Sequence, residues 1–123
     1  MLIEGFYTVV TKEEISAHDI LVTIQLHKEH PVFDGHFPGN PVTPGVCMIQ
    51  IIKEIVQEHL DTELFLQGIS NVKFTALINP YINSALLLEI SIIQTDDIVK
   101  VKNISKFVDG TIALKCNSTF IQR

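Results

Sequence analysis

At 123 residues and a formal net charge of −5, the chain is long enough to bury one real core and lacks the lysine-rich excess of a general nucleic-acid binder. Its apolar share is that of an ordinary soluble globule, and five prolines with six glycines are too few for a linker or disordered tail. Met1-Leu2-Ile3-Glu4-Gly5-Phe6 has no basic stretch leading into an apolar one, so no secretory signal is expected.

In chain order, segments Phe6 to Val10 and Ile20 to Leu26 carry the β-branched enrichment and partial alternation of strands. Between His30 and Pro44 the chain turns to Pro31, Asp34-Gly35, Pro38-Gly39-Asn40-Pro41 and Pro44. These residues supply positive or fixed φ, which reads as an ordered loop. A helix is expected next, with Thr43 as N-cap and Pro44 as its first residue. From Gly45 to Leu60 the polar residues Gln50, Lys53, Glu54, Gln57 and Glu58 form one stripe. The pattern predicts a helix whose first two turns are buried and whose far end reaches water.

Its longest apolar run, Val46 to Ile52, is far short of the roughly 20 residues of a membrane span. Four strand-like runs follow, Phe65 to Ile78, Ala85 to Gln94, Ile98 to Val108 and Thr111 to Ile121. They are punctuated by Asn79-Pro80, Thr95-Asp96-Asp97 and the hairpin signal Asp109-Gly110. Two strands, one long helix and a four-stranded meander are satisfied by an α+β fold in which an antiparallel sheet curls around a central helix. Residues 1–123 are expected to form one such domain, cytoplasmic, with no membrane or nucleic-acid partner. Cys47 and Cys116 are expected to be reduced thiols. A curled sheet with open edges is expected to pair edge to edge with a second chain.

The residues with chemical content lie in Gly35-His36-Phe37-Pro38-Gly39-Asn40-Pro41-Val42-Thr43-Pro44-Gly45-Val46. A histidine on a turn stiffened by prolines and glycine leads directly into a helix N-terminus. That terminus has unpaired backbone N–H groups and positive partial charge, which suit a carbonyl oxygen becoming an enolate. A base beside such a site is the minimum apparatus for removing a proton α to a thioester. Spacing alone leaves a purely structural role for His36 open.

This stretch resembles the GHFPGxPxxPGV motif of the 3-hydroxyacyl-(acyl carrier protein) dehydratases and matches it at every fixed position. Asn71-Val72-Lys73-Phe74 is similar to that family's third strand, while Thr75 to Tyr81 departs from its usual Arg-rich turn. The resemblance implies a hotdog fold and a hydro-lyase acting on 3-hydroxyacyl chains of fatty-acid or related acyl-chain biosynthesis. It implies His36 as the catalytic base and Gly45 as the N–H that polarises the thioester carbonyl, with Phe37 and Val46 also contacting substrate. No cofactor or metal is implied. The partners implied are an acyl carrier protein and a second hotdog chain, in a homodimer, a heterodimer or a higher oligomer.

Where the family has Glu or Asp, fourteen residues after the histidine, this chain has Gln50. A carboxyl group can protonate a leaving 3-hydroxyl, and a carboxamide cannot do so near neutral pH. Gln50 is therefore the second catalytic-site position and its defect, although it also begins the helix's polar stripe. Glu54 sits a full turn further on, about 5–6 Å of axial rise, too far to take over. A homologue that retains the carboxylate could complete the site in a heterodimer. Alternative functions are a non-catalytic acyl-carrier-binding or scaffold subunit and, disfavoured by the loop and by the absence of an evident carboxylate, a thioesterase. His27 and His30 have ligand-like spacing but no third ligand. Lys100, Lys102 and Lys106 share one strand face and could meet an acidic carrier, though a solvated face explains them as well. Asp96 and Asp97 mark a turn.

Overall fold

A computed structural model describes residues 5–30, 43 and 45–122. His36, Phe37 and Pro44 lie outside the described residues. Strands β1 (Tyr7–Glu14) and β2 (Asp19–Leu26) precede helix α1 (Gly45–Leu60), and β3 (Leu64–Phe74), β4 (Ala85–Thr95), β5 (Ile98–Phe107) and β6 (Ile112–Gln122) follow it. All six strands form one sheet in the order β1-β2-β4-β5-β6-β3, antiparallel throughout. This is the expected α+β hotdog arrangement.

The core follows from alternation. Ile20, Val22, Ile24 and Leu26 of β2, with Leu86, Leu88, Ile90 and Ile92 of β4, lie on one face of the sheet and are buried. They share a single cluster with Met48, Ile51, Ile52, Ile55 and Val56 of the helix. In a strand every second side chain points the same way, so these rows face the apolar stripe of α1 while Leu21, Thr23, Leu87 and Glu89 face away. Among the described residues no helix is long and apolar enough to cross a membrane.

Several expectations need correction. Strand β1 runs on from Val10 to Glu14, and β3 stops at Phe74 and not at Ile78. The last four strands are not one meander. Only β4, β5 and β6 follow each other, while β3 lies beyond β6 at the far edge. The two-residue turn at Asp96-Asp97 (Asp96 φ +56°) and the turn at Asp109-Gly110 (Gly110 φ +93°) close hairpins. Residues 75–84 are too long for that and carry the chain from the edge back to the middle. This crossover is pinned to the helix entrance, where the Thr43 N–H donates to the Ile78 carbonyl at 2.8 Å. Thr43 itself is buried, and its hydroxyl has no hydrogen-bond partner among the described residues. The capping bond expected of it is not made there, and the helix begins at Gly45.

The two sheet edges differ. Strand β1 is bulged between Val9 and Thr11 and carries Lys12, Glu13 and Glu14, features that discourage pairing with another strand. On β3, Phe65, Leu66, Ile69, Val72 and Phe74 are each between 37% and 48% exposed. Cys47 and Cys116 are buried and unbridged, and burial pushes both thiols above their ordinary pKa.

Truncating the helix's core face tests this packing. Ile51→Ala, at a fully buried position, should lower unfolding free energy by about 2–5 kcal/mol. Lys53→Ala, on the half-buried groove side, should change it by roughly 0.5 kcal/mol or less. Chemical denaturation of both variants measures the contrast.

Candidate active site

Where α1 passes β3, a groove of about 410 Å³ opens on the helix side of the sheet, within the range of small-ligand pockets. One wall is helical, from Gly45, Val46, Ile49, Gln50 and Lys53. The other comes from Leu66, Ile69, Val72 and Phe74 of β3, with Phe120 of β6. The walls are apolar except for Gln50 and Lys53.

Two irregularities in β3 give the groove its shape. The β3–β6 register shifts between Leu66 and Gly68 and again between Ser70 and Lys73, and Asn71 adopts φ +53°. A bulge of this kind bends a strand and re-aims the side chains after it. Past the second one, Phe74 pairs with Leu114, and its ring rests on the first residue of the helix. A Cβ built on Gly45 would stand 3.1 Å from the Phe74 ring, so a larger residue there would push the ring aside. Glycine thus leaves the start of α1, with its unpaired N–H groups, close under an aromatic lid.

Gly45, Val46 and Gln50 all line this groove, so three of the five residues singled out from sequence come together. His36 and Phe37 lie outside the described residues. Val46 corrects one expectation: the first two turns of the helix are not wholly buried. Cys47, Met48, Ile51 and Ile52 are inside, but Val46 is 78% exposed and Ile49 only half-buried. Among the described residues, no second layer covers the side of the helix that faces β3.

The Gln50 side chain is engaged. Its Nε2 donates to Glu54 Oε2 at 2.9 Å, and the Tyr7 hydroxyl donates to Glu54 Oε1 at 2.8 Å. Four residues is the spacing at which helical side chains meet, so the carboxylate lies against Gln50. The expectation that no carboxylate stands nearby does not hold. Burial, reinforced by the Glu54 carboxylate, pushes the Tyr7 phenol well above the usual tyrosine value. The Gln50–Glu54 contact was legible from spacing. Tyr7, contributed by a strand 47 residues away, carried no signal in the sequence.

The weaker candidates resolve differently. The Nδ1 of His27 bonds the Gly5 carbonyl at 2.9 Å, and its Nε2 bonds Thr8 Oγ1 at 2.6 Å. A carbonyl only accepts, so Nδ1–H donates, and in the neutral ring Nε2 accepts from the threonine. Both nitrogens are used in tying β1 to β2. His30 packs edge-on to Phe6, with ring centroids 5.3 Å apart. No cluster of three metal-ligating side chains occurs among the described residues. Lys106 pairs with Glu89 at 2.6 Å.

Comparison with known proteins places this geometry. A family model described as ApeI dehydratase matches residues 12–110. The 3-hydroxyacyl-(acyl-carrier-protein) dehydratase FabZ of Lactococcus lactis subsp. lactis is 29% identical over 116 residues, covering 89% of this chain and 76% of that protein. The dehydratase of the same name from Caulobacter vibrioides is 29% identical over 119 residues, 88% of this chain and 74% of its own length. In structure, the chain is similar to the dehydratase heterocomplex ApeI:P from Xenorhabdus doucetiae, with a TM-score of 0.74 at 22% identity over 93% of this chain and 96% of that one. A hypothetical thioesterase from Streptococcus pneumoniae, solved with coenzyme A, has a TM-score of 0.65 at 11% identity, covering 95% and 85%. At such identities the structural matches establish the hotdog fold alone.

Removing the Tyr7 hydroxyl tests the network. Tyr7→Phe should cost about 1–2 kcal/mol at neutral pH, as expected for a half-buried hydrogen bond to a carboxylate. A phenol whose pKa is raised by folding contributes stability fully below its unfolded pKa of about 10. That contribution is lost as pH climbs through the higher native value. The wild-type unfolding free energy should therefore fall above pH 10 more steeply than that of Tyr7→Phe, as read by denaturation across alkaline pH.

Proposed function

Because this chain belongs to the ApeI-like dehydratase family, we propose that it handles 3-hydroxyacyl thioesters borne on an acyl carrier protein, as a dehydratase or as one subunit of a dehydratase. The observation that carries this reading is the groove itself, which begins at the glycine opening α1 and has Gln50 on its wall. An extended acyl chain suits its apolar walls, with the thioester carbonyl at the helix N-terminus. There the Gly45 N–H would polarise the carbonyl, and His36 would remove the C2 proton. The elimination ends when the 3-hydroxyl leaves with a proton as water.

That last proton is what the chain lacks. Gln50 has no acidic proton to give near neutral pH, and its amide already donates to Glu54. A second hotdog chain that retains a carboxylate would supply one. The exposed apolar edge of β3 supports pairing through that strand, which would cover Val46 and the open side of the groove. The reading extends to a homodimer in which both sites lack the acid, and such an assembly would turn over slowly. The engaged amide also favours a second reading, an acyl-carrier-binding subunit without chemistry of its own. The GHFPG loop favours dehydration over thioester hydrolysis.

Gln50→Glu separates these readings. The new carboxyl would lie against Glu54, and two adjacent carboxylates hold one proton between them, which is the state an acid needs. Dehydration of a 3-hydroxyacyl carrier substrate by the homo-oligomer should rise, by up to the roughly 10²–10⁴ that a general acid contributes. His36→Ala in the same chain should return it to background. Activity unchanged in a folded Gln50→Glu protein that still binds acyl carrier would leave the binding-subunit reading standing instead.

A further inference from the structure

Of the two polar residues on the groove's walls, the chemistry proposed above uses Gln50 and gives Lys53 no role. Lys53 follows Gln50 at the helical spacing that sets both on one face, and it is half-buried. Nothing along α1 neutralises it. The positions three and four residues away on either side are Ile49, Gln50, Val56 and Gln57, none of them acidic. The adjacent Glu54 has one oxygen on Tyr7 and the other on Gln50. Across the groove Leu66, Ile69, Val72, Phe74 and Phe120 are apolar, and β3 contains no carboxylate. The ion pair found among the described residues joins Lys106 to Glu89 and leaves Lys53 aside.

A lysine on an apolar wall lays its aliphatic stem along its neighbours and keeps the ammonium in water. That suits Lys53 only while the groove is open. A chain pairing with β3 would cover it, and an ammonium withdrawn from water is strongly disfavoured unless an anion accompanies it. The order of residues along α1 says which part of a substrate carries that anion. With the thioester carbonyl at Gly45 and the 3-hydroxyl at Gln50, the acyl chain runs from Gly45 past Gln50 toward Lys53. The carrier side of the thioester leaves in the opposite direction, so a charge there is out of reach. Gly45 and Lys53 are about 12 Å apart along the helix axis, and helical side chains lean back toward the N-terminus. At about 1.2 Å per extended bond, the ammonium comes level with the end of a chain of roughly six to ten carbons.

We propose that Lys53 sets the chain specificity of this groove by pairing with a carboxylate at the distal end of the acyl chain, so that the substrate class is a medium-length 3-hydroxyacyl thioester with an acidic terminus. The assignment rests on the function proposed above. The apolar walls carry the methylene chain, and the lysine reads its end. A methyl-ended chain of the same length would fill the groove equally well but leave the ammonium without a counter-charge.

The test uses the full chain in its purified assembly and two carrier-free 3-hydroxyacyl pantetheine thioesters of about eight carbons, one ending in a methyl group and one in a carboxylate. Wild type should bind the carboxylate-ended chain about tenfold more tightly at about 0.1 M salt, and the preference should shrink at about 0.5 M. Lys53→Met should abolish it by weakening the carboxylate-ended chain alone, a change that a merely structural lysine would not produce. Lys53→Glu should reverse it, and Lys12→Met, on the far edge of the sheet, should keep it. If Lys53→Met does not fold, Lys53→Gln should show the same loss. A wild type without the preference, or a folded Lys53→Met that keeps it, overturns the assignment and leaves the proposed function intact. Lys53→Met that dissociates the assembly yet keeps the preference overturns it too, because the counter-charge then belongs to a partner chain. A wild type that binds neither thioester overturns both.

Discussion

An edge strand is where a sheet can be extended by a further strand, and β3, at the far edge of the sheet formed by the described strands, exposes five large apolar side chains there. The arrangement of the described residues depends on that apolar edge. The sheet needs β3 beside β6 to extend over the helix, and the bulges in β3 carry Phe74 onto the helix start. Among the described residues no strand lies beyond β3, and a groove opens between that strand and α1. The opposite edge, bulged and charged, is protected from the same fate. Of the two edges of the described sheet, β3 is the one suited to completion by another strand, and the candidate groove lies beside it.

The chemistry at that site is lopsided in a consistent way. In the proposed reading, the glycine at the helix start, the aromatic ring over it and the apolar walls would bind and polarise a thioester. The position to which that reading assigns the proton donor holds the Gln50 amide, which is tied to the Glu54 carboxylate. Glu54 is itself held by a tyrosine from β1, so the helix is anchored beside the groove wall to the opposite edge of the sheet. A chain built this way can orient a substrate while leaving the final proton to a partner. That division of labour is coherent with the one-sided edge, since one contact would cover the groove and deliver the missing group.

Much of the architecture was legible in the sequence because it is written in local terms. Alternation marked the strands, the prolines before Gly45 marked the helix start to within a residue, and Asp109-Gly110 marked a hairpin. The position of β3 was not legible, since pairing with β6 and not with β4 is a non-local choice with no signature in a strand's own residues. Its early end at Phe74 follows from the same crossover. The exposure of Val46 escaped for a related reason. Helical periodicity shows that a residue is apolar, but which apolar faces are covered depends on where the sheet stops. Gln50 stands out against the family pattern, and Glu54 is within reach of it by the i, i+4 rule, but spacing does not show that the carboxylate engages the amide, which depends on the Tyr7 hydroxyl on its other oxygen.

Backbone hydrogen exchange along β3, measured on the assembled protein, tests the account most directly. If β3 pairs with a second hotdog chain, amides from Phe65 to Ser70 should exchange as slowly as those of the central strands β4 and β5. Protection should drop when dilution dissociates the assembly, while β1 stays equally protected in both states. An assembled protein whose β3 amides exchange as fast as those of the dissociated chain would contradict it, because the edge that shapes the groove would not be the edge that is completed.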